Sequence, residues 1–388
     1  MFRSERVSAV LLVVAAIAGL VLANSPLGPA LNEAKHFQLV PLVPGLSLSA
    51  GHLITDGLLA VFFFIAAIEL RHELTKGELD SPRKALLPAL AAVGGVIVPA
   101  VIYLVVAQEK DLTVGWPIPT ATDIAFALGI LSLVGRTLPG RVRALLLALA
   151  VLDDLIAIAI IAIFFTAAVN PIPLIISIPV IVTFGVVSRL ALPRPVAIVS
   201  LTLLGLAAWL LVALSGVHPT VAGVALGLVM GHRTAAAARH AIEPFSNSLI
   251  LPLFAFAAAL VVLPSVSLFA LSPAFWAIIV ALPVGKLLGI VGGGLIGRAL
   301  TNRQRLPPGQ SDGARLPFGD LLVIASLGGI GFTVSLLMNE LAFAGRTELA
   351  AEGTLAVIIG SAVAAAVGVG VTLRRARHYA RLVASPVR

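Results

Sequence analysis

Five ionisable side chains lie inside otherwise apolar stretches of this sequence. Asp153 and Asp154 are adjacent in one long apolar block, and Lys286 is the thirteenth residue of another. Asp56 and Asp123 lie near the beginnings of two further blocks. Ionisable groups at membrane depth are costly, and they usually mark an ion or substrate pathway. Carboxylate oxygens are hard ligands that suit Na⁺ or Li⁺ better than a soft metal, so the pattern predicts a cation site.

The two adjacent aspartates are expected to have different partners. Neighbouring residues of a helix point about 100° apart, so Asp153 and Asp154 cannot both face one group. We expect one carboxylate to pair with Lys286 and the other to face a water-filled funnel, where Na⁺ and H⁺ compete for its oxygens. The desolvated Lys286 could itself carry a proton. A purely structural ion pair is the alternative, and Asp56 could equally lie at the membrane interface.

The composition places these charges in a membrane protein. The chain has 388 residues, of which 59% are hydrophobic and 11% charged, and it has no Cys. Soluble domains carry about a quarter charged residues, so a soluble enzyme, a disordered chain and a disulfide scaffold are excluded. The sequence has no phosphate loop, cofactor fingerprint or nucleophile elbow, and its seven histidines lack metal-ligand spacing. We therefore expect neither an enzyme nor a bound cofactor.

The apolar blocks predict an all-α polytopic membrane protein with about twelve transmembrane helices. A membrane span needs about 20 apolar residues. The whole chain, 1–388, is predicted to be a single transmembrane transporter domain. The blocks lie at 7–23, 54–70, 86–107, 119–135, 144–169, 172–188, 195–213, 217–231, 246–263, 274–297, 319–339 and 354–373.

The basic residues predict the orientation. With twelve spans, 22 of the 26 Lys and Arg fall on one side, and only Lys35, Lys110 and Arg346 fall on the other. The positive-inside rule then places both termini in the cytoplasm. The same residues come in twos and threes without adjacent aromatics, so the net charge of +8 does not indicate nucleic-acid binding. Block 7–23 could be a signal peptide, but the alternation of sides favours a first membrane helix.

Two spans are predicted to be interrupted. Span four opens with prolines and threonines over 116–123, and span eleven contains Gly328, Gly329 and Gly331. These spans are the middle members of spans 3–5 and 10–12, which predicts inverted repeats around a midplane ion site. Asp123 would then face the positive ends of broken helices and Lys286 the negative ends.

Two connecting segments stand out. Residues 41–50 alternate around Pro44-Gly45, which predicts a short external β-hairpin. Segment 299–318, rich in Pro and Gly, is the longest cytoplasmic linker and separates span eleven from span ten.

Several short sequence motifs occur in an order typical of one transporter family. From about residue 52 to 345, the chain resembles the NhaA-type sodium–proton antiporters of bacterial inner membranes. The motifs that carry the resemblance are TDGL at 55–58, VFF at 61–63, ATDIAFALG at 121–129, LDDL at 152–155, SGVH at 215–218, LPLFAF at 251–256, GK at 285–286 and GIGFT at 329–333.

The resemblance implies a role for each central residue. Asp154 corresponds to the main carboxylate for Na⁺ or Li⁺ and H⁺, and Asp153 to its neighbour that salt-bridges a lysine, here Lys286. Thr122 and Asp123 match the non-helical crossing of the fourth span and help to coordinate the ion. Spans 3–5 and 10–12 would form the ion-binding core bundle, and the other spans an interface or panel bundle.

The resemblance also implies a physiology. Such proteins exchange one Na⁺ or Li⁺ for two H⁺, are activated at alkaline pH, and are usually dimers within the lipids of the inner membrane. Here His72 stands where an arginine is common in the family, and the 239–243 stretch reorders the usual acid and histidine. The implied funnel and pH-regulation residues are Asp56, Glu69, His72, Glu73, His218, Arg239, His240 and Glu243.

Two other functions are compatible with parts of the pattern. A Na⁺-coupled symporter of an organic anion can share the broken helices, but it would need a polar and aromatic cavity to bind its substrate. A non-transporting subunit of a membrane complex predicts a long apolar surface without buried charge, which the five charges within the spans argue against.

Overall fold

A computed structural model of the protein describes residues 5–38, 49–77, 79–166, 169–263, 270–302 and 316–384. Within these ranges the regular segments are helical, and the one isolated β-bridge pairs Gln38 with Ser49 in antiparallel fashion. The predicted hairpin at 41–50 lies almost entirely outside the described residues, so it stays a prediction.

We number the helices of the described ranges in chain order. Three of them contain π-helical stretches, at Leu53–Leu58, Ser246–Ile250 and Ala281–Gly285, and short 3₁₀ turns at Thr113–Gly115 and Ile118–Thr120 precede the fifth. The helices are α1 Glu5–Ala23, α2 Gly28–His36, α3 Ala50–Lys76, α4 Pro82–Val106, α5 Ile124–Val134, α6 Gly140–Phe164, α7 Pro171–Val187, α8 Arg194–Leu214, α9 Thr220–Val229, α10 His232–Ala258, α11 Pro273–Thr301, α12 Phe318–Gly328, α13 Phe332–Ala342 and α14 Thr347–Ala384.

The helices are those of a polytopic membrane protein, as predicted. Among the described residues, eight helices are long and apolar enough to cross a membrane, if α5 and the 3₁₀ turns before it are counted as one span, Thr113–Val134, and two bent pairs raise the number to ten. The pairs are α1 with α2, bent by 111°, and α12 with α13, bent by 44°. The shorter apolar helices α7 and α9 lie at the sixth and eighth predicted spans.

Several helices extend beyond the apolar blocks that predicted them. Helix α10 begins at His232, although the ninth block begins at 246, and α14 continues past 373 to Ala384. Hydropathy locates only the apolar part of a helix, whereas the hydrogen-bonded ladder continues through polar residues with good helix propensity. The basic Arg233 and Arg239 therefore lie on α10 rather than in a loop.

The chain divides into two compact units. The first unit comprises Leu11–His72 and Ile158–Val262, and the second comprises Ser4–Val10, Glu73–Ala157 and Leu263–Arg388. The second unit thus contains α4, α5, most of α6, and α11 to α14. The division into a core bundle and a panel bundle stays a prediction.

In the second unit, α11 packs very closely against α4. Glycines recur every fourth residue along α11, which places them on one face of the helix. A Cβ atom added at Gly289 would collide with the carbonyl oxygen of Gly94, and one at Gly293 with that of Leu90. Such close backbone approach is typical of small residues at membrane helix contacts. This face fixes the backbone of α11 beside Lys286.

In the first unit, α9 packs closely against α3. A Cβ at Gly223 would collide with the carbonyl oxygen of Ala60, and one at Gly227 with that of Phe64. Beside this contact, the buried side chains of Ile68, Phe184, Ala208, Leu226, Met230 and Ala235 form an apolar core.

Candidate cation site

The site is built where two interrupted helical segments meet in the second unit. Residues 121–123 have no helical structure, and α5 starts directly after them; the gap between α12 and α13 spans 329–331. The backbone N–H of Asp123 donates to the carbonyl of Ile330 at 2.6 Å, and the Thr122 hydroxyl donates to the carbonyl of Gly328 at 2.7 Å. Polar backbone groups freed by the breaks are thereby satisfied away from lipid.

Asp123 caps two helices at once. Its Oδ1 accepts from the backbone N–H of Phe126 at 2.9 Å, in the first turn of α5. Its Oδ2 accepts from the backbone N–H and the hydroxyl of Thr333, at 3.2 and 2.7 Å, in the first turn of α13. Caps and positive helix ends stabilise a carboxylate. The buried charge of Asp123 is thus compensated by the two helices.

Lys286 forms a buried ion pair with Asp153. The ammonium Nζ lies 2.6 Å from Asp153 Oδ2, and the two side chains are 0% and 1% exposed. Lys286 directly follows the π-helical stretch Ala281–Gly285, and the close contact of α11 with α4 fixes its backbone. The other oxygen, Asp153 Oδ1, is buried and has no hydrogen-bond partner among the described residues.

Asp154 lies beside this pair. It is 5% exposed, and it acts electrostatically on Lys286. The Thr122 hydroxyl, which donates to Gly328, lies beside the Asp153 carboxylate. The structure thus brings Thr122, Asp153, Asp154 and Lys286 into one neighbourhood, next to the break that Asp123 caps.

The donor set fits a transported alkali cation. Hydroxyl, carbonyl and carboxylate oxygens are hard ligands, and Asp153 Oδ1 is an acceptor not used by the described protein groups. Across the described ranges, no group of three or more His, Asp or Glu residues is placed to hold a metal ion. A Na⁺ or Li⁺ at Asp153 and Asp154 would be cargo.

Comparison with known proteins identifies the family. The family model described as Na⁺/H⁺ antiporter 1 matches residues 1–372. The chain belongs to this family. The resemblance to NhaA-type antiporters is therefore confirmed along almost the whole sequence.

Curated relatives carry the same family name. The chain is 52% identical over 386 residues to Na(+)/H(+) antiporter NhaA 2 of Clavibacter michiganensis subsp. michiganensis, covering 97% of this chain and 93% of the relative. It is 46% identical over 369 residues to Na(+)/H(+) antiporter NhaA of Tropheryma whipplei (strain Twist), covering 94% and 92%. It is 42% identical over 398 residues to Na(+)/H(+) antiporter NhaA 3 of Streptomyces coelicolor, covering 100% and 82%.

In this NhaA-type chain, two of the predicted regulatory residues meet in the first unit. Asp56 lies in the π-helical stretch Leu53–Leu58, and its Oδ1 is 3.6 Å from His218 Nε2 and 3.2 Å from the Thr55 hydroxyl. The Trp209 indole donates to the Asp56 carbonyl at 2.9 Å. His218 is 8% exposed, and its Nδ1 lies 2.7 Å from the hydroxyl of Thr220.

A second group of predicted regulatory residues surrounds Arg239. This guanidinium donates to Glu69 Oε1 at 2.9 Å and to Glu243 Oε2 at 3.2 Å. Glu69 lies on α3, and the other two lie on α10. Of the remaining predicted members, His72 and His240 are exposed, and Glu73 is buried at the start of the second unit.

Three residues of the second unit were missed by the sequence analysis. Thr333 lies within the GIGFT motif, so the sequence analysis identified the motif but did not predict the hydrogen bond from Thr333 to Asp123. Ser361 accepts from the backbone N–H of Phe332 at 3.1 Å, and no pattern in α14 indicates this. Asp320 is 0% exposed and lies two residues into the eleventh apolar block, where an acid is ordinarily interfacial.

Proposed function

We propose that this protein is a secondary active antiporter that exchanges cytoplasmic Na⁺ or Li⁺ for external H⁺. The observation that carries the proposal is the buried Asp153–Lys286 pair beside Asp154, with one Asp153 oxygen that accepts no hydrogen bond from the described residues. The names of relatives at 40–52% identity support Na⁺ and H⁺ as the exchanged ions. They favour antiport over a symport of organic anions.

The chemistry follows from competition for the same oxygens. Deprotonated Asp154 and Asp153, together with the Thr122 hydroxyl, offer hard ligands to a dehydrated Na⁺ or Li⁺. Protons that bind these carboxylates remove their charge, so the cation leaves. Lys286 pairs with Asp153 while that carboxylate binds neither a cation nor a proton, and an arriving cation competes with its ammonium. Exposure of the carboxylates to one side of the membrane at a time converts this competition into exchange.

Thr122 and Asp123 support this site by holding residues 121–123 in place against the break between α12 and α13. Because two helix ends and a hydroxyl already bond to the Asp123 carboxyl group, we expect this residue to stabilise the crossing throughout the cycle. Thr122 adds a hydroxyl oxygen next to Asp153. The glycines Gly328, Gly329 and Gly331 allow the chain to turn and leave carbonyls near the site.

We further propose an electrogenic cycle in which two protons enter for each cation that leaves. Two carboxylates, Asp153 and Asp154, can each take up one proton, while the same pair binds one monovalent cation. Net positive charge then moves inward in each cycle. A membrane potential that is negative inside would therefore drive cation export.

The architecture that we propose has twelve spans in a bacterial inner membrane, with both termini in the cytoplasm. Helices α7 and α9, added to the eight long helices and the two bent pairs, give twelve. The distribution of 22 basic residues on one side supports the orientation. Spans 3–5 and 10–12 would be inverted repeats that form the core bundle. A homodimer, joined partly through the external hairpin, follows from the family resemblance.

We propose pH regulation at two groups of residues. The Glu69–Arg239–Glu243 ion pairs, with His72 and His240, would form the cytoplasmic group. Asp56 and His218 would form the other, because the His218 imidazole lies 3.6 Å from the Asp56 carboxylate.

Flux in proteoliposomes tests the function. With an imposed pH gradient, addition of Na⁺ or Li⁺ to wild-type vesicles should move protons, and Asp154→Asn should abolish the exchange. The matched control is Asp80→Asn, which makes the same change at an exposed ion pair with Lys84 and should exchange like wild type. Exchange by Asp154→Asn at the wild-type rate would overturn the site, and proton flux that needs an organic anion would overturn the antiport.

A further inference from the structure

A buried ionic cluster in the second unit lies away from the cation site. Asp320, in the first turn of α12, is 0% exposed. Its carboxylate accepts hydrogen bonds from Arg375 Nε at 2.7 Å, from Arg141 Nη2 at 3.2 Å and from the Tyr379 hydroxyl at 2.9 Å. The Arg375 guanidinium also lies 4.7 Å from the centre of the Tyr379 ring. One carboxylate thus accepts hydrogen bonds from two guanidinium groups and a phenol.

The cluster joins the helices that carry the cation site. Arg141 is on α6, which holds Asp153 and Asp154 further along, and Arg375 and Tyr379 are on α14, which provides Ser361 to the start of α13. Asp320 itself is on α12, whose last residue, Gly328, accepts from Thr122. Eight residues separate Asp320 from Gly328, about 12 Å along the helix.

Asp320 supplies the negative charge in these contacts. Without its carboxylate, the Arg375 and Arg141 guanidinium groups would each lose a buried ion-pair partner, and the Arg375 side chain is only 18% exposed. Removal of one partner from a buried ion pair leaves an uncompensated charge, which separates the elements that the pair had joined. Multiple hydrogen bonds between a carboxylate and a planar guanidinium group also restrict the relative orientation of the two side chains. The cluster therefore restrains the first turn of α12 against α6 and α14.

We propose that Asp320 is a positioning residue of the cation site. By fixing α12 along its axis, it holds the carbonyls of Gly328 and Ile330 in register with Thr122 and Asp123, and it thereby sets the affinity for the cation. This proposal rests on the proposed antiport. Asp320 does not touch the ion; it acts through the end of α12.

The test measures the apparent KM for Na⁺ and Li⁺ separately from the maximal exchange rate. In Asp320→Asn we expect KM for both ions to rise about tenfold, because small misplacements of ligands are costly, with a maximal rate within about twofold of wild type. Tyr379→Phe keeps every charge and should raise KM by about two- to threefold. Asp320→Glu should recover part of the affinity. Asp80→Asn, an exposed pair of the same chemistry, should leave KM unchanged.

The outcomes distinguish a positioning role of Asp320 from a purely structural role. A purely structural role would lower the thermal unfolding midpoint of Asp320→Asn but leave KM of the folded protein at the wild-type value, and that result would overturn the proposal. Should Asp320→Asn not fold, Tyr379→Phe and Arg141→Gln decide, and wild-type KM in both would overturn it equally. Absence of exchange in wild-type vesicles would instead refute the proposed function, and the role of Asp320 would fall with it.

Discussion

Lys286→Met removes the ammonium of the buried ion pair and keeps most of the side-chain volume. Nζ and Asp153 Oδ2 are 2.6 Å apart, and both side chains are at most 1% exposed. Methionine retains the apolar stem, so little packing is lost. The main change is a carboxylate stranded in an apolar interior, and removal of one partner of a buried pair costs about 3–5 kcal/mol. We therefore expect the free energy of unfolding to fall by about that amount.

A double-mutant cycle isolates the pair from other effects. Asp153→Asn strands the ammonium instead and should also destabilise the protein, whereas the double variant Asp153→Asn/Lys286→Met removes both charges and should recover much of the loss. The coupling energy should reach at least about 2 kcal/mol. Unfolding in mixed micelles by titration with a denaturing detergent gives these free energies, and thermal midpoints give the same ranking.

The control for this cycle is an exposed pair in the same unit. Lys84 lies 3.0 Å from Asp80 with 55% and 35% side-chain exposure, and such pairs contribute about 0–1 kcal/mol. Lys84→Met should therefore change stability little. The reasoning would be refuted if Lys286→Met were as stable as Lys84→Met, or if the double variant were no more stable than the worse single one.

Two further predictions concern the packing and the capping of the site. Gly289→Ala should destabilise the protein by about 1–3 kcal/mol, because its Cβ would collide with a carbonyl oxygen of α4; Gly292→Ala, three residues on with nothing within 4 Å of the added Cβ, should be neutral or slightly stabilising in the same unfolding assay. Thr333→Val should cost about 1–3 kcal/mol by removing the hydroxyl donor 2.7 Å from Asp123, and Thr333→Ser should not; equal stability of the two variants would contradict the capping role.

The class of protein and the location of the candidate site were predictable from sequence, because charged residues are rare within membrane-spanning segments and therefore easy to recognise there. Residues such as Asp153 and Lys286 contrast with apolar blocks of 24 or more residues, and boundary error cannot move them to water. The residues alone did not decide which aspartate pairs with the lysine. That choice came from the family resemblance, and the structure places Asp153 at Lys286.

The buried cluster around Asp320 was not predictable for a physical reason. An acid close to the start of a span is interfacial by default, and its burial here depends on Arg141 and Arg375, which are 179 and 55 residues away in sequence. Hydropathy contains no information on such contacts. The extension of α10 to His232 was missed in the same way, because an amphipathic helix does not raise the hydropathy.

Three buried carboxylates of the second unit differ in what compensates their charge, and the difference bears on which of them can exchange ions. Asp123 is held by helix ends and a threonine, and Asp320 by two arginines and a tyrosine; these groups are fixed by the backbone or by planar, multiply bonded side chains. Asp153 is compensated by Lys286, a compact charge on a flexible stem that a cation of equal charge can replace. Because the Lys286 ammonium can be replaced in this way, we propose that Na⁺ and H⁺ compete at Asp153 and its neighbour Asp154, while Asp123 and Asp320 keep the frame around them fixed.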